Sequence, residues 1–367
     1  MNQFIPTYTD ISDWEKIEYT STGGTRSKKI VIQPSNQKEF FFKGSKVIQE
    51  TGEIRYPNEF WSEIISSKIG QYLGFNMLDY NIGYMDSDYQ KIGCLSASMV
   101  EHSQNKLTEG VSYLTGFDSS YRPTLAEHKK HYTFQFICNA LDYFSLKKHI
   151  ESIIEIIVFD AIVSNSDRHQ ENWGIITFFK ETIDRIDEEL NRGNVSFGRR
   201  IGIKFAKWIT KSASLSHELF KKLPKSTLLF QHEVAPVKFA PIYDSGCCLG
   251  RELEDTRVNV LLEDNKQLEK YIDGGVSEIH WTDKKGKIDH FTLVRLVKAQ
   301  EPDYAKLINK RINDIKLKYD KNKLRSLIFE IDSELPINLH QFRLPNNRKQ
   351  LIYKIVTLRL ERLFSLG

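Results

Sequence analysis

Residues 164–172, "SNSDRHQEN", constrain this chain more than any other stretch, because they crowd an aspartate, an arginine, a histidine and two asparagines between segments that look buried. Upstream, "LKKHIESIIEIIVFDAIVSN" (146–165) repeats Ile150, Ile153, Ile154, Ile157 and Val158 at helical spacing, with Glu151, Ser152 and Glu155 on a wetter side. Downstream, "WGIITFF" (173–179) reads as a strand. Polar groups at the seam of a buried helix and a buried strand need hydrogen-bond partners or a ligand. The order helix, short polar loop, strand therefore predicts a loop held rigidly by two packed elements.

The chain changes character on either side of residue 105. Before it, "KIVI" and "EFFFK" flank the turn "QPSNQ" and predict a hairpin over 29–43 that ends in Lys43. "PNEFWSEIISSKIGQYLG" (57–74) predicts a helix, with Pro57 in the first turn and Gly74 as the stop. "YNIGYMD" and "KIGCLSASMVE" predict two more strands. After it the pattern is helical, clearest in "PTLAEHKKHYTFQFICNALDYF" (123–144) and 146–165, and again over most of 289–367. "KFAPIYD" (238–244) predicts a strand ending at Asp244. The result is an α+β reading: a small β-rich lobe at 1–105 and a larger, mostly helical lobe at 106–367, with a long basic insertion at about 181–236.

Bulk properties exclude more than they assign. A net charge of +4, from 52 basic and 48 acidic residues, is too balanced to require a nucleic-acid partner. No window nears a membrane-spanning apolar length, and the N-terminus lacks the basic start and apolar core of a signal peptide. The four cysteines show no zinc spacing, and Cys247 and Cys248 are adjacent, which suits a reducing compartment. No G-x-S-x-G or H-E-x-x-H occurs to support hydrolase or zinc-protease chemistry.

Phosphoryl transfer is the chemistry that the remaining polar residues fit. Asp167 and Asn172 are five positions apart. A carboxylate there could accept or orient the proton of an attacking hydroxyl while an amide oxygen holds magnesium beside it. Asp244 opens "DSG", a D-x-G pattern that offers a second metal ligand. Lys43 could neutralise nucleotide phosphates if an acid on the following helix holds it, Glu63 first and Glu59 as the alternative. "STGGTRSKK" (21–29), with Gly23 and Gly24, could lay backbone N–H groups over phosphates. Each feature has a plainer reading: a capped polar loop, an Asp-Ser-Gly turn, a solvated lysine and glutamate, a flexible loop. Their shared order is what favours the chemical one.

"SNSDRHQENWG" followed by "APIYDSGCCLGRE" resembles the HipA-like serine/threonine kinases, especially the shorter CtkA-like members. The likeness extends to "NEFWSEIISSKIGQYLGF", where Glu63 stands eleven positions before Gly74, and to Ser21, Gly24 and Lys28 in the small-residue loop. It implies a bilobal protein-kinase-like fold, ATP and Mg2+ as cofactors, and transfer to serine or threonine. By this resemblance Asp167 is the catalytic aspartate and Asn172 and Asp244 bind the metal. Lys43 contacts phosphate, and Met99, Val100 and Glu101 form a hinge that meets adenine. Ser21 and Thr22 become candidate autophosphorylation sites. A bacterial toxin or effector is implied, cytoplasmic or delivered without a classical signal peptide, with a protein substrate and a cognate antitoxin or regulator as partners. The competing readings are a lipid or small-molecule kinase on the same scaffold, and a catalytically silent nucleotide- or partner-binding module.

Overall fold

A computed structural model describes residues 4–17, 28–45, 51, 53–87, 91–101, 104–191 and 235–367. Six strands make the first sheet: β1 (Tyr8–Asp10), β2 (Glu15–Ile17), β3 (Lys28–Ile32), β4 (Glu39–Lys43), β5 (Asn81–Tyr84) and β6 (Ile92–Ala97), in the spatial order β1-β5-β6-β4-β3-β2. Only the β1–β5 pair is parallel. The aromatic strand β4 lies mid-sheet, between β3 and β6, so its last residue, Lys43, is fixed by neighbours on both sides. Gly93 makes that approach possible, since a Cβ there would press on the Lys43 carbonyl.

Helix α1 (Glu59–Leu73) packs against this sheet and is buried on nearly every face. Its apolar residues do not form a single stripe, as expected of a helix enclosed on all sides. Trp61 donates to Phe342 O at 2.9 Å, which ties the helix to the C-terminal region. Gly74 closes α1 in the left-handed conformation at φ 84°. Pro57 precedes the Asn58 cap and so stands outside the first turn where the sequence suggested it.

The C-terminal lobe is mainly helical around a small three-stranded antiparallel sheet of β7 (Asn105–Glu109), β8 (Gly174–Phe178) and β9 (Val237–Phe239). Helix α2 (Gly110–Phe117) follows β7 directly. The stretch 123–144 is not one helix: α3 (Ala126–Lys129) and α4 (Phe134–Tyr143) are separated by a break where Thr133 caps α4 by accepting the Phe136 N–H at 3.1 Å. Helix α5 (Ile150–Val163) is the apolar run before the polar loop, with eleven of its fourteen residues buried. On its wetter side Glu155 meets Arg311 at 2.9 Å. Helix α6 (Phe179–Asn191) begins where the basic insertion was expected, and residues 192–234 of that insertion lie outside the described residues.

The expected strand over 238–244 is also shorter. Regular pairing stops at Phe239, and the chain touches the first lobe once more through a parallel bridge from Ile242 to Met77. It then turns at Asp244, which has φ 51°. Beyond it lie α7 (Asp255–Glu263), α8 (Asn265–Asp273), α9 (His290–Gln300), α10 (Pro302–Lys318), α11 (Lys321–Phe329) and α12 (Asn346–Phe364). One continuous core joins α1, α4, α5 and α9 to α12. Among the described residues no helix is long and apolar enough to cross a membrane.

Candidate active site

Three of the residues singled out from sequence meet at Lys43. Its side chain is buried, with the ammonium 2.6 Å from Asp244 Oδ1 and 3.4 Å from Glu63 Oε2. Glu63 is only 1% exposed, and its other oxygen accepts the Ser245 N–H at 2.9 Å. One carboxylate of α1 thus fastens both the strand-end lysine and the backbone beside Asp244. Glu59, one turn earlier, faces Arg251 at 3.1 Å instead. Lys28, in register opposite Lys43, brings a second ammonium to 3.7 Å from Asp244 Oδ2.

Asp244 holds a left-handed backbone that a non-glycine residue adopts at a cost. Its N–H donates to the Tyr80 hydroxyl at 3.3 Å. Burial, then the nearby Glu63 and Asp244 carboxylates, push the Tyr80 phenol well above its ordinary pKa, so it stays a neutral hydroxyl. The next hydroxyl, Tyr243, donates to Glu171 O at 2.9 Å and pins the same segment to the polar loop.

The polar loop is built around Arg168, which sequence reasoning did not single out. Ser164 ends α5 in the left-handed conformation at φ 59°, and the chain folds back over the helix end. Arg168 is 1% exposed and every guanidinium N–H has an acceptor. Nε donates to Asp160 Oδ2 at 3.0 Å, and Nη2 donates to Asp160 Oδ1 and Ser245 Oγ at 2.9 Å each. Nη1 donates to Asn172 O at 2.9 Å and Tyr243 O at 2.6 Å. One nitrogen therefore bridges the carbonyl of Asn172 and the carbonyl just before Asp244. The signal was present: Asp160 is a charge inside an apolar helical run, and a buried carboxylate requires a partner. Burial raises the Asp160 carboxyl above its usual value, and Arg168 works against that rise.

Within the loop, Asn172 is buried and its side-chain nitrogen donates to Asp167 O at 2.8 Å while facing His169 Nε2 at 3.2 Å. The amide nitrogen is thereby turned into the loop, which leaves the oxygen as the atom suited to a cation. Asp167 is part-exposed, with Oδ2 3.3 Å from Cys247 Sγ. An Asp244 carboxylate and an Asn172 amide oxygen could offer a hard, all-oxygen donor set once Lys43 releases Asp244 Oδ1. It suits Mg2+ shared with phosphate oxygens and water better than a cage of protein ligands. No group of three or more His, Cys, Asp or Glu that could hold a metal occurs among the described residues.

Met99, Val100 and Glu101 follow β6 and form the crossing between the two sheets. Met99 and Val100 pack, as Leu107 does, against the buried cluster of Ile176, Ala240 and Tyr243, an apolar wall beside the polar groups above. Ser98 tightens the crossing by donating to Val100 O at 2.6 Å, and the Glu101 N–H donates to Asn105 Oδ1 at 3.0 Å. Gly23, Gly24, Ser21 and Thr22 lie outside the described residues.

No protein-family model matches the chain, and no curated protein matches it. Among solved structures, the crystal structure of a Helicobacter pylori proinflammatory kinase, CtkA, superposes with a TM-score of 0.64 at 17% identity, covering 98% of this chain and 96% of that one. The likeness runs nearly the full length of both chains and shows a shared bilobal, kinase-like fold: a small sheet-bearing N-terminal lobe and a mainly helical C-terminal lobe.

Proposed function

We propose that this chain is an ATP- and magnesium-dependent serine/threonine protein kinase of the HipA/CtkA type. The observation that carries the reading is Lys43 held between Glu63 and Asp244, with the Asp244 segment tied through Arg168 to the loop of Asp167 and Asn172. In this reading Lys43 neutralises nucleotide phosphates and Glu63 fixes the lysine. Asp167 orients the acceptor hydroxyl and takes up its proton. Asn172 and Asp244 would hold magnesium, which when bound neutralises charge on the phosphates. The backbone of 99–101 would meet adenine against the Met99 and Val100 wall. The kinase likeness supports phosphotransfer, and that neighbour being a proinflammatory kinase supports an effector or toxin acting on a protein. Ser21 and Thr22, in the small-residue loop, are the proposed autophosphorylation sites.

The test is transfer from γ-labelled ATP by wild type and Asp167→Asn, offered a bacterial or host-cell lysate, lipid vesicles, or nothing else. The expected result is magnesium-dependent label on protein with wild type alone. Label on lipid would favour the lipid-kinase alternative. A melting temperature raised by Mg-ATP without any transfer would indicate a silent nucleotide-binding module. The absence of both transfer and a melting shift would refute nucleotide chemistry altogether.

A further inference from the structure

Two glutamates one turn apart on α1 reach two different parts of the site. Glu63 goes to Lys43 and the Ser245 backbone. Glu59 pairs with Arg251 at 3.1 Å, and the guanidinium also stacks over the Tyr56 ring at 4.1 Å. Arg251 Nη2 then donates to Cys247 Sγ at 3.0 Å, and the Cys247 thiol donates to Asp167 Oδ2 at 3.3 Å. The donors run one way, from guanidinium to thiol to carboxylate, and the chain ends on the aspartate assigned to the acceptor hydroxyl. Glu59 and Cys247 are buried, where such bonds are weakened less by water.

We propose that Cys247 and Arg251 are positioning residues for Asp167, and that through Glu59 they lock the orientation of its carboxylate to the placement of α1. This rests on the kinase reading of Asp167. The backbone already docks here independently, because Cys247 O accepts the Ser166 N–H at 3.2 Å. Changing the thiol therefore tests the side-chain relay and leaves the segment attached. A plain packing role for Cys247 would make its size matter and its donor irrelevant. The relay makes the donor matter.

The experiment measures kcat and the KM for ATP with the full chain, magnesium and a phosphorylated lysate protein as acceptor. Cys247→Ala should lower kcat about tenfold, the scale of one lost bond to a charged group, with the KM for ATP changed less than about twofold. Cys247→Ser, which restores a donor, should recover most of that turnover. Arg251→Met should match Cys247→Ala, and the double variant should be no slower than either single, since both break one chain. If Arg251→Met does not fold, the alanine–serine comparison still decides. Unchanged kcat in Cys247→Ala, a serine variant as slow as alanine, or a loss confined to the KM for ATP would overturn the relay. Wild type without turnover, or Asp167→Asn with full turnover, would overturn the kinase reading and the relay with it.

Discussion

Lys43 Nζ sits 2.6 Å from Asp244 Oδ1, although the two residues are 201 positions apart and belong to different lobes. The same ammonium also serves buried Glu63, so it separates two carboxylates that would otherwise face each other. Lys43→Met should therefore cost stability as well as activity. Breaking a buried pair from one side costs about 3–5 kcal/mol, and the part-exposed Asp244 brings the expected loss to about 2–3 kcal/mol. Urea denaturation checks the stability and labelled-ATP transfer the activity. A variant as stable as wild type would show that the pair adds nothing to the folded state.

Arg168 should tolerate no substitution, including lysine. Its five N–H groups meet five acceptors in a planar fan, and a lysine offers three donors from a single point. Arg168→Lys should lower stability by about 2 kcal/mol and Arg168→Met by about 3–5 kcal/mol. Both should weaken Mg-ATP binding as well, because the carbonyls of Asn172 and Tyr243 lose their common donor. Denaturation midpoints and titration with Mg-ATP measure the two effects. Full nucleotide affinity in a folded Arg168→Met protein would show that the bridge does not align the site.

What the sequence revealed and concealed follows from how local each signal was. The β3–β4 hairpin and α1 announced themselves through periodicity, turn residues and a stopping glycine, all carried within twenty residues. Helix α5 read correctly for the same reason. The break before α4 did not, because the charged run at 127–131 suits the wet face of a helix as well as a loop, and Thr133 caps the helix while its backbone bridges to distant His280. The strand expected over 238–244 stops at Phe239 although "KFAPIYD" has strand composition throughout, because its later path is set by Met77 and by the turn at Asp244. Strand β7 has one large apolar residue, Leu107, and is a strand because β8 pairs with it. Glu63 was preferred to Glu59 through its distance from Gly74 in the resemblance, and the structure puts Glu63 beside Lys43 and Glu59 beside Arg251. Arg168 was hidden because its partners lie across three separate stretches, although Asp160 hinted that a buried cation must exist.

Asp167→Asn separates chemistry from binding. The residue is part-exposed on a loop and the substitution is nearly isosteric, so stability should change by less than about 0.5 kcal/mol. Phosphoryl transfer should fall by at least about a hundredfold, because the acceptor hydroxyl loses the group that takes its proton. Mg-ATP should still raise the melting temperature, as the ligand atoms are elsewhere. At a hundredfold excess over Kd the added stability is about 2.7 kcal/mol. Differential scanning fluorimetry and a turnover assay on one preparation decide, and near-wild-type turnover would remove Asp167 from its role.

Acid should destabilise the fold before its carboxylates protonate, and the cause lies in two buried histidines. Burial, then repulsion from Lys148, pushes the His149 imidazole down to about 4. Burial, then Arg359, pushes His290 well below its ordinary value. In the unfolded chain both titrate near 6.5. Between that value and the depressed folded values, the unfolded state binds protons that the folded state refuses. The stabilising contribution is therefore complete above about pH 6.5 and is lost progressively as pH falls toward about 4, with a slope of at most about 1.4 kcal/mol per pH unit for each histidine. His149 sits on the turn before α5 and its ring lies 6.1 Å from Phe239 of β9, so loss of neutral packing there acts on the helix that leads into the polar loop and on the partner of β8, the strand that follows it. Urea midpoints between about pH 7 and pH 5, above the range of unperturbed carboxylates, follow the histidine contribution when wild type is compared with the histidine variants. Wild type should weaken steadily across that interval, and His149→Gln combined with His290→Gln should weaken less. A wild-type profile flat over this range, or an equally steep one in the double variant, would assign the acid sensitivity to other groups.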